Sequence, residues 1–188
     1  MVNLEPLLPK DFSLLIQWTD TPMFLLQWAG PGFRFPLTRE QLLEHWEGTR
    51  GEDPSRRCFK AVHPETGQMV GHIELNRINR THRSATISRV LLDPQVQGGG
   101  LGTAMVQEVA RVGFEEMNLH RIDLYDFDFN DSAIACYERV GFRMEGKLRD
   151  ARRIDDRYWT VCIMGMLEQE WRERRDAISK RSTLGSGS

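Results

Sequence analysis

The clearest pattern in the chain is a β-branched and aliphatic run, Ser84 to Leu92, that reaches a proline turn and then a loop in which Gly98, Gly99, Gly100 and Gly102 fill four of five positions. A helix follows at once. Leu101, Met105, Val106, Val109, Ala110, Gly113, Phe114 and Met117 recur at helical spacing, with Gln107, Glu108, Arg111, Glu115 and Glu116 on the other face. Upstream, Val2–Leu7 reads as a strand, Pro9–Trp18 and Asp20–Trp28 as short helices, and Ala29–Pro36 as a turn-rich loop. Thr38 and Gln41 form a capping box that opens a helix over Arg39–Glu47. Cys58–His63, Gln68–Asn79 and Ser84–Leu92 read as antiparallel strands joined by hairpin turns. Arg121–Phe127 is a further strand, parallel to Ser84–Leu92 because a helix intervenes. Asn130–Val140 is a helix, and Phe142–Leu148 with Trp159–Leu167 completes the sheet. The order is that of an α/β (α+β) domain, a mixed, mostly antiparallel sheet of about six or seven strands around a strand, glycine loop, helix, strand unit. One domain is expected over 1–175, with a disordered tail at 176–188.

Glycines between a strand end and a helix start leave backbone N–H groups uncovered, and these donors, with the positive end of the helix dipole, suit a phosphate. A nucleotide-triphosphate loop would end in Gly-Lys-Ser/Thr, whereas this one ends Gly100-Leu101-Gly102-Thr103. A dinucleotide fold needs G-x-G-x-x-G and the segment lacks the last glycine, although Asp126 stands near the distance of a ribose-binding acid. A plain surface turn is the remaining reading of the loop.

A second motif, Asn130 to Phe142 (NDSAIACYERVGF), begins 28 residues past Gly102. Together the two resemble the GNAT family of acetyl-CoA-dependent N-acetyltransferases. Gln97-Gly98-Gly99-Gly100-Leu101-Gly102 matches that family's Arg/Gln-x-x-Gly-x-Gly/Ala loop, and Asn130, Tyr137, Gly141 and Phe142 match its second signature. The resemblance spans about Cys58 to Trp171, and its tail is similar to the branch of ribosomal-protein N-terminal and spermidine acetyltransferases. It implies the GNAT fold and acetyl-CoA as acyl donor. Val90, Leu91 and Leu92 would offer backbone groups to the pantetheine arm, as an edge strand does. The backbone of Gln97, Gly98, Gly99, Gly100, Leu101, Gly102 and Thr103 would hold the pyrophosphate, and Asn130, Ala133 and Tyr137 would line the cofactor arm.

Tyr137 is the candidate general acid, since a phenol is protonated at neutral pH and can protonate a departing thiolate. It also shares a helical face with Ile134 and Gly141, where a tyrosine packs as core; Asn130 would equally serve as a helix N-cap. The strand before the glycine loop carries no carboxylate, so Glu74 on the neighbouring strand is the nearest candidate base. Trp28, Phe33 and Phe35 lie in the segment that the resemblance sets over the acceptor, or else pack the small helices. Met23–Pro36 is apolar with Arg34 its only charge, which favours an amine on an apolar or neutral group, a small molecule or a peptide N-terminus, over a dense polycation.

A net charge of −2 supplies no basic field for nucleic acid. Three cysteines without C-x-x-C spacing and five scattered histidines give no disulfide framework or metal motif, so no metal is expected. The longest apolar run near the C-terminus, Val161–Leu167, has seven residues, and a membrane span needs about 20; no membrane partner is expected, and the chain reads as soluble and cytoplasmic. A homodimer is left open. Two rival functions follow from the same residues. The missing carboxylate before the loop would fit a catalytically inactive acyl-CoA-binding regulatory domain, and the glycine loop with Asp126 would fit a dinucleotide-binding oxidoreductase.

Overall fold

The computed structural model describes residues 1–96 and 98–185, with side chains described to 178. Seven strands form one sheet in the order β1-β2-β3-β4-β5-β7-β6. They are β1 (Asn3–Pro6), β2 (Arg57–Val62), β3 (Met69–Asn79), β4 (Ser84–Leu92), β5 (Arg121–Phe127), β6 (Arg143–Ile154) and β7 (Arg157–Leu167). The helices are α1 (Phe12–Trp18), α2 (Pro22–Ala29), α3 (Arg39–Glu47), α4 (Leu101–Arg111), α5 (Asp131–Val140) and α6 (Glu168–Gly185). Only the β4–β5 pair is parallel among the described strands. A doubly wound dinucleotide fold needs successive parallel crossovers, so the oxidoreductase reading fails on topology.

Alternation along the central strands divides them between two cores. Ile73, Leu75, Ala85, Ile87, Ile122 and Leu124 pack on Met105, Val106, Val109 and Ala110 of α4 and on Tyr137 and Val140 of α5. On the opposite face Cys58 and Leu91 meet Phe12, Leu15, Leu25, Phe33 and Leu42 of the α1–α3 layer. β1, the β4–β5 crossover and most strand limits match the sequence pattern.

Three local expectations need correction. The capping box forms only in part: Thr38 Oγ1 accepts from Gln41 N–H at 3.4 Å, but the Gln41 amide accepts from Arg34 N–H at 2.7 Å and donates to Arg34 O and Pro36 O, both at 3.0 Å. The side chain that would have closed the box instead ties the preceding loop to α3. The periodicity after the glycine loop continues not as one α-helix but as α4 and then a π-helical turn, Val112–Glu116. Gly113 there presses on β5 so closely that a Cβ would lie 2.5 Å from Ile122 Cδ1. Lastly, β6 and β7 run beyond Leu148 and before Trp159 to a turn at Asp155, with Arg152 opposite Trp159 and Arg153 opposite Tyr158. Most residues at this end of the hairpin are exposed, with Ile154 the buried exception, so it carries no apolar alternation to read.

Candidate active site

The β4–β5 ladder runs from Ser84 opposite Arg121 to Ile87 opposite Leu124 and stops there, although β4 continues to Leu92 and β5 to Phe127. The edge of β4 that faced β5 is thereby freed over Ser88–Leu92, while its other edge stays paired with β3. The split opens a cleft of about 700 Å³. Ile87, Val90, Leu124 and Asp126 meet Asn130, Ala133 and Tyr137 of the α5 region on its inner side. Phe24 and Trp28, from the α1–α3 layer, stand on its other, outer side, and Gln27 of α2, Asn76 and Arg77 of β3, Tyr125 of β5, and Leu148 and Arg152 of β6 complete its lining.

At the end of β4 the backbone takes positive φ at three successive residues, Gly98 (103°), Gly99 (58°) and Gly100 (76°). A Cβ on any of them would meet nothing within 4 Å, so glycine is needed for the dihedral and not for space. Gly100 is the N-cap of α4 and supplies no side chain, leaving the helix start to the backbone alone. Gln97 lies outside the described residues. Leu101, Gly102 and Thr103 form the first turn of α4, and Thr103 Oγ1 donates to Cys136 Sγ of α5 at 3.5 Å. Of the three β4 residues expected on the cofactor arm, Val90 lines the cleft, whereas the Leu91 side chain is buried in the α1–α3 layer.

Tyr137 is 5% exposed and its hydroxyl donates to Asp126 Oδ2 at 3.0 Å. α5 ends one residue before the left-handed Gly141, whose N–H, with that of Phe142, returns to Tyr137 O. The Tyr-x-x-x-Gly-Phe spacing is thus a helix stop that also sets the tyrosine's height above the cleft. Asn130 occupies the N-cap position of α5, but its side chain makes no cap; Nδ2 donates to Asp126 Oδ1 at 3.0 Å. Asp126 therefore binds both signature residues of α5, a role that the sequence hid behind a ribose-like spacing. Burial pushes the Asp126 carboxyl up, against the hydrogen bonds it accepts. Burial, and then the neighbouring Asp126 charge, hold the Tyr137 phenol well above its ordinary value.

Glu74 is not on the cleft. It is 1% exposed, under α3, and accepts from His45 Nε2 at 3.0 Å, His72 Nε2 at 3.1 Å and Arg89 Nη1 at 2.9 Å. Arg56 Nη1 donates to His45 Nδ1 at 2.7 Å, which assigns the His45 proton to Nε2. Burial would raise the Glu74 carboxyl, but the two histidine hydrogen bonds and the Arg89 charge outweigh it and leave the group well below the carboxylate range. Glu74 does not line the cleft, and a carboxylate engaged by three donors is poorly placed for general base work. Donor atoms of His45, Cys58 and Glu74 lie within 4.8 Å of one another, a spacing a metal could use; here the guanidinium groups of Arg56 and Arg89 already bring positive charge to this network.

The aromatic segment divides likewise. Trp28 lines the cleft and rests edge-on against His72. Phe33 is buried, stacked with Trp28, edge-on to His45 and beneath the Arg89 guanidinium. Phe35 is 45% exposed, and neither it nor Phe33 lines the cleft. Phe24, Gln27, Arg77, Tyr125 and Arg152 do, on elements far apart in sequence and outside any motif.

A mixed sheet split between β4 and β5, with a glycine turn and helix start following β4, is the architecture of an acyl-CoA-dependent acyltransferase. The family model described as acetyltransferase (GNAT) family matches residues 20–142, and the chain belongs to that family. It is an acetyl-CoA-dependent N-acetyltransferase. It is 28% identical to spermidine N(1)-acetyltransferase of Escherichia coli strain K12 over 90% of this chain and 88% of that one. It is 29% identical to the putative ribosomal N-acetyltransferase YdaF of Bacillus subtilis over 56% and 57%. A crystal structure of spermidine N-acetyltransferase from Vibrio cholerae with CoA and spermine superposes with a TM-score of 0.79 at 26% identity, covering 90% of this chain and 97% of that one. No helix among the described residues is long and apolar enough to cross a membrane.

Proposed function

We propose that acetyl transfer takes place in the β4–β5 cleft, from acetyl-CoA to a primary amine of a small molecule or peptide N-terminus, by direct attack in a ternary complex. The observation that carries this reading is that the freed edge of β4 and Tyr137 share one cleft. Acetyl-CoA supplies a thioester whose acyl carbon accepts the amine. The free backbone groups of Ser88–Leu92 pair with its extended arm, and the Gly98–Thr103 backbone, at the positive end of α4, holds its pyrophosphate. The acceptor enters from the outer side, past Trp28 and Tyr125. As the C–N bond forms and the C–S bond breaks, Tyr137 gives its proton to the leaving sulfur. The amine proton goes to water, because Asp126, the one carboxylate lining the cleft among the described residues, is engaged by Tyr137 and Asn130.

The relatives that match over most of the chain are named for spermidine, so a polyamine is the acceptor class to set against the charges that line this cleft. Thiol release, followed with acetyl-CoA and a panel of amines, polyamines, amino acids and peptides, tests the reading. Amine-dependent release with one acetylated product supports it; tight acetyl-CoA binding without release would return the chain to the regulatory-domain alternative.

A further inference from the structure

Four charged residues line the cleft: Arg77, Arg89, Arg152 and Asp126. Two of them are neutralised or turned away. Arg89 is paired with Glu74 at 2.9 Å, and Asp126 stands on the inner side, bound by Tyr137 and Asn130. The other two, Arg77 and Arg152, line the same cleft and have no carboxylate partner among the described residues. Arg152 Nη1 donates to Ala151 O, and this is the one hydrogen bond its side chain makes there. Arg77 sits where the β3–β4 register shifts, in the left-handed region (φ 51°), with its N–H held by Asn76 Oδ1 at 2.8 Å. Among the described residues the cleft wall therefore carries two guanidiniums without an acid partner, the neutral groups of Asn76, Thr86, Ser88 and Gln27, and one acid, Asp126, already engaged by Tyr137 and Asn130.

A polyamine brings several ammonium groups that need carboxylates, and this wall would repel it. We propose that the acceptor is an amine that also bears a carboxylate, an amino acid or an acidic peptide, with the carboxylate paired to Arg77 and Arg152 while the amine reaches the thioester. Guanidinium presents paired N–H donors that match a carboxylate, so these residues select the acceptor by charge and shape together. The inference rests on the transferase reading above and specifies its substrate.

The test is kcat/KM at saturating acetyl-CoA for matched pairs: amino acids against their decarboxylated amines, and acidic peptides against amidated forms, with spermidine as a further arm. The carboxylated member of each pair is expected to be better by about tenfold or more, the size of one charge-assisted hydrogen bond. Arg77→Ala and Arg152→Ala should collapse that ratio by raising acceptor KM, without changing KM for acetyl-CoA, and Arg77→Lys should restore part of it. Spermidine or the decarboxylated amines matching their partners, or a ratio untouched in both alanine variants, would overturn the inference and leave the transferase reading standing. Release with no amine at all would overturn both.

Discussion

The Tyr137 hydroxyl lies 3.0 Å from Asp126 Oδ2 and donates to it. The proton proposed for the leaving sulfur is thus already committed to a buried carboxylate, and Tyr137 can release it only by turning from Asp126 or with Asp126 itself protonated. Tyr137→Phe is expected to fold, to bind acetyl-CoA as wild type does, and to lose kcat by about 10²-fold. Asp126→Asn removes the charge that helps hold the phenol high, so the Tyr137 titration, followed by ultraviolet difference spectroscopy, should move to lower pH. A Phe variant as fast as wild type in a chemistry-limited assay would leave Tyr137 as a core residue.

Glu74 is expected to matter for stability and not for proton transfer. Glu74→Gln leaves the buried Arg89 charge without its partner, and breaking such a pair costs about 3–5 kcal/mol in urea unfolding. Because the folded carboxyl is held low, its stabilisation is complete above the unfolded value of about 4.3 and is lost as pH falls through the folded value. The Gln variant should show a flatter loss of stability below that pH. The rise of rate between about pH 6 and 8, where an amine begins to lose its proton, should survive the substitution.

Gly100→Asp should weaken acetyl-CoA binding, because it adds negative charge beside the phosphate-binding amides and a side chain at φ 76°. Gly100→Asn separates the two effects, since asparagine tolerates the left-handed region without the charge. Calorimetry is expected to rank wild type above Asn and Asn above Asp; equal affinities would remove the pyrophosphate from this turn.

Trp28 borders the cleft and Phe35 does not. Trp28→Ala should raise acceptor KM, and Phe35→Ala should leave it within about twofold, as expected for an exposed side chain away from the site. The reverse order would place the acceptor on the α2–α3 loop instead.

The parts of this protein legible in its sequence are those written locally. Ser84–Leu92, the glycine turn and Tyr137-x-x-x-Gly141-Phe142 each encode a strand, a left-handed turn or a helix stop within a few residues, and each lies where its pattern says. The rest of the cleft lining was not legible, because Gln27, Arg77, Tyr125 and Arg152 come to one cleft only through the sheet order and the β6–β7 hairpin. The surroundings of Glu74 were hidden for a related reason. Alternation tells that its side chain takes one face of β3, but not that His45 and His72 wait there with Arg89.

The central claim is that one cleft holds thioester and amine together and that Tyr137 completes the transfer. Single-turnover mass spectrometry of acetylated amine and free CoA, with enzyme in excess over acetyl-CoA, tests it directly. The account predicts that product and CoA appear together, only when amine is present, without an acetylated enzyme, and slowed in Tyr137→Phe. CoA release into an acetyl-enzyme before amine is added, or transfer at an undiminished rate in Tyr137→Phe, would contradict it.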